Sequence, residues 1–550
     1  MSKRTLYFVC LLFTMTPFLM INAHTKNNLE QTYDIVIYGG TSAGVTAAVQ
    51  AARMGKSVVL IATGNHIGGM TSNGLGWVDV TKPDTLGGLA REYFNKVWEY
   101  YQRDLSWIWE PKHPIKGQLI QFHPTVPLMW VLEPKVAEKI FIAMVAQAKI
   151  PLIRRERLDR RNGVKMYGSR ILQITMESGL SFKGQMFIDA TYEGDLMAAS
   201  HVSYTVGREP NSQYQETLNG IQSYHMSAKK FLKIDPYLVK GNPKSGLLLR
   251  VYPHERGKCG SGDSGVQAYN YRMCLTDVPQ NRIPIEKPAG YDERQYEIVF
   301  RAIEAGIGKE TFFKLDLLPN RKTDSNNNGP ISTDYVGMNW NYPEADYATR
   351  KKIALLHEQW QRGLVWTLQN HPRVPAAVQA YYAPWGLPKD EFVDNRHWPY
   401  DLYVREARRM VSAVVIDEQT ALGKISVQDG IGLASYNMDS HSIKYIVDSN
   451  GFLGTEGGLY KKVAIPYPIS YQAIVPKRQE CENLAVPVCL SASHAAYGSI
   501  RMEPTFMVLG QSAATAACLA INLNVALQDL PYALLRQYLL NDGQILDWKK

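Results

Sequence analysis

The stretch YDIVIYGGTSAGVTAAVQAARMGKSVVLI, residues 33–61, constrains this chain more than any other. An apolar run bounded by two glycines reads as a buried strand. A helix of small residues follows, stopped by Gly55, and KSVVLI reads as a second strand. Two strands joined through one helix in about thirty residues form a parallel βαβ crossover, so the chain must build a sheet with helices packed on it. Gly39 permits a tight exit from the strand, Gly44 lets helix and strand approach closely, and the helix N-terminus offers free N–H groups to a pyrophosphate. The unit therefore predicts dinucleotide binding. Two positions depart from the usual pattern: Thr41 stands where a middle glycine permits close phosphate approach, and Ala62 where an acid meets a ribose. Thr63, Asn65 or backbone groups are left to meet the ribose, and no arginine is placed for a phosphorylated one.

A chain of 550 residues, 45% hydrophobic, buries more than one small core, and two domains are expected. The N-terminus has basic Lys3 and Arg4, an apolar run from Leu6 to Ile21 interrupted by Pro17, and small Ala23 before polar residues. That order predicts a signal peptide over 1–23, cleavage after Ala23, a periplasmic or secreted protein, and no stable membrane insertion. Five cysteines follow the leader: Cys259, Cys274, Cys481, Cys489 and Cys518. One bridge is conceivable, Cys481 to Cys489 or Cys259 to Cys274, but isolated buried thiols are favoured, and no spacing suggests a metal. The net charge of +9 is spread thinly. Its densest run, RRERLDRRNGVK from Arg154, alternates with acids, which argues for a solvated surface and against a nucleic-acid partner.

Helical period is expected near Leu89 to Tyr101 and in EPKVAEKIFIAMVAQAKI. Strands are expected in PLIRRERL, SRILQITMESG and LSFKGQMFIDA, with a turn at Ser178 and Gly179. Residues 205–395 are rich in Pro, Asn, Tyr and Trp and include the linker-like KTDSNNNGPIS. The fold class expected is α/β: a Rossmann-like domain, parallel sheet plus β-meander, built from 33–204 and 396–528. An α+β capping domain is inserted over 205–395, and 529–550 form a tail. YVREARRM reads as helical, with Arg405 and Arg409 four apart on one face, able to hold an anionic substrate. The last part reads as a strand, a turn at Ser493 to Ile500, and a long helix beginning near Pro504.

Four further motifs, HIGGMTSNGLG (66–76), FIDATYEGDLMAAS (187–200), YNYRMCLTD (269–277) and SYNMDSH (435–441), join YGGTSAG, YVREARRM and LSASHAAYGSIRMEPTFMVLGQSAATAA. Together these segments resemble the FAD-dependent oxidoreductase family, in the glutathione-reductase-like superfamily and distantly related to fumarate reductase and succinate dehydrogenase flavoproteins. The resemblance covers nearly the whole mature chain. It implies a non-covalent FAD with Gly39, Gly40, Thr41, Ala43 and Gly44 at the pyrophosphate, and Gly68, Gly69, Met70 and Thr71 at the ribityl and flavin side. Ala190 and Thr191 lie where a sheet strand returns to the cofactor, with Asp195 following as a cofactor contact or a helix N-cap. Arg501, Met502 and Glu503 lie at the start of a helix aimed at the flavin pyrimidine. Ala62 departs from the family, which usually has Glu there. QFHPT (121–125) resembles a substrate-histidine segment of fumarate reductases but stands in the wrong order, and His66 does not align with the histidine that links flavin in some relatives.

A proton must move beside the flavin, and His494 and His441 are the candidates, with Asp439 placed to orient His441. Arg501 and a helix N-terminus would stabilise negative charge on reduced flavin. The expected function is that of an exported enzyme transferring hydride between flavin N5 and a small-molecule substrate, a sugar or glycan-derived alcohol. The alternatives are fumarate-reductase-like reduction of an activated C=C in an unsaturated acid, and a flavin-containing protein of non-redox, glycan-binding or lyase-associated role. These residues do not specify the electron acceptor or donor.

Overall fold

The computed structural model describes residues 30–112, 127–222, 233–253 and 257–548; the leader and QFHPT lie outside them. The expected crossover forms as β1 (Glu30–Tyr38), α1 (Ser42–Arg53) and β2 (Val58–Ile61), with β1 and β2 parallel from the Ile35–Val58 pair to the Tyr38–Ile61 pair. Both faces of β1 are covered: Ile35 and Ile37 pack into the largest hydrophobic cluster, Val36 and Tyr38 into a second on the opposite face. This explains why the strand reads as an unbroken apolar run rather than an alternating one.

After α2 (Gly88–Tyr101) and α3 (Pro134–Gln147), the chain adds β3 (Leu152–Ile153), β4 (Val164–Tyr167), β5 (Arg170–Thr175) and β6 (Ser181–Asp189). The sheet runs in the order β3-β2-β1-β6-β5-β4. The expected strand PLIRRERL shrinks to two residues, because its arginines and Glu156 leave only Leu152 and Ile153 to pair with β2. The unexpected β4 pairs antiparallel with β5, and Gly179 takes the left-handed turn between β5 and β6 at φ 94°. β6 pairs with β5 only at its start, then pairs parallel at Phe187 and Ile188 with Leu484 and Ala485. The C-terminal part thus returns to the first sheet, making an α/β fold from two distant stretches of sequence.

The helix Glu503–Leu523 packs directly on α1. A Cβ on Gly510 would lie 2.2 Å from the Ala43 carbonyl oxygen, so only glycine allows this approach, and Thr46 Oγ1 donates to the Met507 carbonyl at 2.8 Å. A third cluster gathers Ile234 to Ala407, includes the helix Tyr347–Asn370, and takes Tyr445 and Leu453 from beyond the expected boundary at 395. Two elements differ from expectation. Residues 403–408 form no helix, and Arg409–Met410 pairs antiparallel with Tyr204–Thr205, because the arginines here are drawn into buried ion pairs on several sides. Residues 494–500 form a helix rather than a turn, with Ser493 Oγ accepting the Ala496 N–H at 3.2 Å. All five described cysteines are free thiols; Cys259 is exposed and the other four are buried.

Candidate functional site

At the end of β1 the glycine turn is held by backbone contact. A Cβ on Gly44 would sit 1.9 Å from the Gly39 oxygen, and one on Gly39, at φ 118°, would sit 2.6 Å from the Ala190 carbonyl carbon. Thr41 acts as the N-cap of α1: Oγ1 accepts the Gly44 N–H at 3.3 Å and donates to the Ala190 carbonyl at 2.7 Å. Its hydroxyl thus ties the turn to the end of β6. Asp189, buried, accepts from Thr191 N–H and Oγ1 and from Met197 N–H; burial raises its pKa to about 6.

This turn backs onto a cavity of about 300 Å³ lined by Gly39, Gly40, Thr41, Ala62, Thr63 and Gly69. Thr191 and Glu193 add the end of β6, and Arg350 and Lys351 come from the helix Tyr347–Asn370. Ala43 and Gly44 lie behind the turn in α1, and a Cβ on Gly40 would meet the Ala62 Cβ at 2.7 Å. Asp195 reaches this wall too, but it is the first residue of α4 (Asp195–Ala199) after left-handed Gly194, so it is neither the N-cap nor a free ligand. Its carboxylate is shared by Arg350 at 2.7 Å, Arg408 at 2.9 Å and Arg160 at 3.3 Å; against the effect of burial they hold its pKa below the ordinary range. His66 stacks on Tyr400 at 3.4 Å, and its two ring nitrogens are engaged by Glu138 at 2.9 Å and Asp394 at 3.0 Å.

Glu503, the first residue of the helix Glu503–Leu523, is buried. Its carboxylate accepts from Ser42 Oγ at 2.6 Å, Thr71 Oγ1 at 3.2 Å and Tyr192 Oη at 2.5 Å, while Tyr192 Oη accepts the Met70 N–H at 2.8 Å. Burial raises the Glu503 pKa despite these donors. One residue thus joins the start of α1, the turn Gly69–Ser72 and the end of β6. Gly68 and Gly69 are left-handed, and a Cβ on Gly68 would strike Ser72 Oγ at 2.2 Å.

The second cavity, about 390 Å³, is lined by Arg501, Met502, His441, Asp334, Tyr403 and Asp439, and also by Trp77, Asp79, Arg272 and Asp316. Arg501 is 4% exposed; Nη1 donates to Tyr403 Oη at 3.1 Å and Nη2 to the Asp439 carbonyl at 3.1 Å, while Nε has no partner among the described residues. It pairs with Asp439, not with its neighbour Glu503. His441 Nδ1 lies 2.7 Å from Asp334, whereas Asp439 is 3.7 Å from Nε2. The orienting carboxylate is therefore Asp334, two residues beyond the linker-like stretch KTDSNNNGPIS, rather than Asp439. Burial would raise the Asp334 pKa, but Arg405 and His441 outweigh it and hold it low. Burial, followed by Arg405, lowers that of His441, leaving a neutral imidazole whose Nδ1–H donates to Asp334 and whose Nε2 is an acceptor.

Arg405 does not bind in the open. Its side chain is fully buried, 3.0 Å from Asp334, and donates to Ala268 and Asn270. Arg409, also fully buried, pairs with Glu209 at 2.5 Å and with Glu406. With the segment not helical, the two do not share a helix face. His494 lines neither cavity: its Nδ1 faces Glu406 at 2.9 Å inside this same ion cluster, and burial with Arg409 and Arg208 pushes its pKa down to about 3. Glu133, Asp390 and Glu391 also converge, but on the Lys322 ammonium, at 2.7, 2.9 and 2.5 Å.

Asp334, Tyr403 and the Trp77 to Asp79 wall were not legible as site residues. The one signal was compositional, a polar stretch around Pro330 in a loop, and loops carry function when a scaffold positions them.

Residues 34–539 match the profile of the family described as FAD dependent oxidoreductase. Over 65 residues the chain is 42% identical to NADH:acrylate oxidoreductase of Vibrio harveyi, 12% of this chain and 6% of that relative's length. Among solved structures it is similar to L-proline dehydrogenase from P. horikoshii, at 15% identity and TM-score 0.23, over 33% of this chain and 59% of that one. It is likewise similar to L-amino acid deaminase from Proteus vulgaris, at 15% identity and TM-score 0.23, over 34% and 53%.

Proposed function

The chain belongs to the FAD dependent oxidoreductase family, with FAD as its cofactor, and from that premise we propose that it oxidises the C–OH carbon of a neutral, hydroxyl-rich small molecule, a sugar or glycan-derived alcohol. The residues fit the cofactor: a glycine turn at a helix N-terminus backs onto one cavity with Arg350 and Lys351 in its wall, and Arg501, its Nε unpartnered, lines the other. When bound, FAD supplies the hydride acceptor at N5. Gly39, Gly40 and Thr41 would hold the pyrophosphate end, Glu503 with Ser42 and Thr71 would offer a fixed acceptor to ribityl hydroxyls, and Arg501 would supply positive charge. Both His66 ring nitrogens are committed to carboxylates, which favours non-covalent binding; release of the flavin on acid precipitation is the check.

The observation that carries the reaction type is His441 on Asp334, facing the same cavity as Arg501. His441 Nε2 takes the hydroxyl proton as the carbinol hydride leaves, and Asp334 stabilises the resulting imidazolium through Nδ1–H. The competing reading, reduction of an activated C=C in an unsaturated acid, draws support from the match to NADH:acrylate oxidoreductase. A carboxylate wants a free guanidinium fork, and Arg272 is spent bidentately on Asp324 while Arg405 and Arg409 are sealed in ion pairs. Anaerobic bleaching of the flavin by a monosaccharide panel supports oxidation. Reoxidation of the reduced protein by fumarate or acrylate, with no bleaching by sugars, overturns it; a colourless protein sinks the oxidoreductase reading altogether, and a yellow one that gives neither response supports the non-redox role. Export is part of the proposal, and an exported protein that begins at His24 is its test.

A further inference from the structure

Tyr403 lines the His441 cavity and takes no part in the scheme above. It is 5% exposed, and its backbone N–H is fixed by the Asn270 carbonyl at 2.9 Å. Its hydroxyl oxygen accepts from Arg501 Nη1 at 3.1 Å, and no acceptor for its own O–H lies among the described residues. Two more cations pack on the ring: the Arg405 guanidinium lies 4.9 Å and the Arg272 guanidinium 5.8 Å from its centre.

A short frame ties this hydroxyl to His441. Arg501 Nη2 lies 3.5 Å from Asp439 Oδ2, and the same oxygen lies 3.7 Å from His441 Nε2. By a second route, the Arg405 that packs on the Tyr403 ring is 3.0 Å from Asp334, which is 2.7 Å from His441 Nδ1. Arg501 gives a separate sign that a ligand belongs here: it is buried, it lines the cavity, and its Nε has no partner among the described residues.

We infer that Tyr403 is the hydrogen-bond donor to the reacting oxygen of the substrate, the counterpart of His441. This rests on the reading of the cavity as the site of alcohol oxidation. The carbinol O–H donates to His441 Nε2, and the carbinol oxygen accepts from the Tyr403 O–H. When the C–H bond breaks, its electron pair leaves as hydride to the bound FAD. The O–H proton passes to Nε2, the pair it leaves becomes the second C–O bond, and Tyr403 keeps its own proton throughout. By donating into the phenol oxygen, Arg501 polarises the Tyr403 O–H and strengthens it as a donor, and the cations on the ring act in the same sense.

Binding and turnover test this separately. Cyclohexanone accepts a hydrogen bond and donates none. It is titrated into the oxidised holoprotein by perturbation of the flavin spectrum, and its C=O stretch is followed by isotope-edited infrared spectroscopy. Tyr403→Phe should bind it about tenfold more weakly with flavin content unchanged, and the bound stretch should move to higher frequency. Flavin reduction by the active sugar should slow about a hundredfold. Replacing the Tyr403 ring with ortho-fluorotyrosine, whose hydroxyl is more acidic, should instead draw the stretch below its wild-type position. If Tyr403→Phe loses its flavin, the fluorotyrosine protein decides alone. A stretch unmoved by either change, or a wild-type holoprotein that binds no cyclohexanone, overturns the assignment. A stretch that answers to Tyr403 while no sugar bleaches the flavin would strike only the reaction proposed above.

Discussion

The two cavities are built in opposite ways. The one at the glycine turn is made largely of backbone, from Gly39 to Gly69 and the end of β6, and its shape depends on where a Cβ is forbidden. The one around His441 is made of side chains from at least five separated stretches, 77–79, 272, 314–336, 403 and 436–442, closed by Arg501 and Met502. The first should therefore fail all at once under a single methyl group, and the second one function at a time.

Gly44→Ala tests the first half and should have the largest effect. A Cβ 1.9 Å from a backbone oxygen forces the helix off the strand, at a cost of about 3 kcal/mol or more. The protein should emerge without flavin absorbance and with a lowered Tm, and a yellow, stable variant would contradict the backbone account. In the second cavity, His441→Gln should leave flavin content intact while slowing anaerobic flavin reduction by the active sugar about a hundredfold to ten-thousandfold. His494→Gln, in the sealed cluster, should reverse that pattern. Reduction stays near the wild-type rate, and stability drops by about 1–3 kcal/mol as Glu406 loses a buried donor. Equal rate losses in the two variants would put both histidines in the chemistry.

Asp334→Asn gives a smaller, pH-dependent change. The base form of His441 is the neutral one, present above its pKa, which is already lowered from 6.5. Asp334 raises that pKa while burial and Arg405 lower it. Removing the carboxylate should therefore shift the acidic limb of the rate profile to lower pH and reduce the plateau about tenfold, as the imidazolium loses its partner. A limb that stays in place or moves up would show that Asp334 does not act through His441. The smallest effect is expected of Ala62→Glu. Ala62 lines the first cavity beside Gly40, and a carboxylate there should tighten FAD a few-fold in a flavin titration, with the fold unchanged. Loss of flavin would mean that the ribose is held in another way.

The comparison also shows why some of the site was legible and some was not. Gly39, Thr41, Gly44 and Gly68 announce themselves because part of what constrains each is local: a positive φ at Gly39 and Gly68, a helix cap at Thr41, and the Gly39 oxygen against Gly44. His441 was found as a residue type, but Asp334, 107 residues away, was not found as its partner. His494 and Arg405 were plausible on the same grounds as His441 and Arg501. Nothing in their neighbours in sequence reveals that Glu406, Glu209 and Asp334 would close around them.

By itself the sequence determined the crossover, the glycine turn, the helix Glu503–Leu523 and the family, because period, turn chemistry and motif spacing are properties of short segments. Only the tertiary structure decided which charges face a cavity and which are neutralised in the interior. Whether Arg405 is a substrate fork or a buried strut depends on carboxylates brought to it by the fold, and burial strengthens such pairing until one partner settles the role of the other.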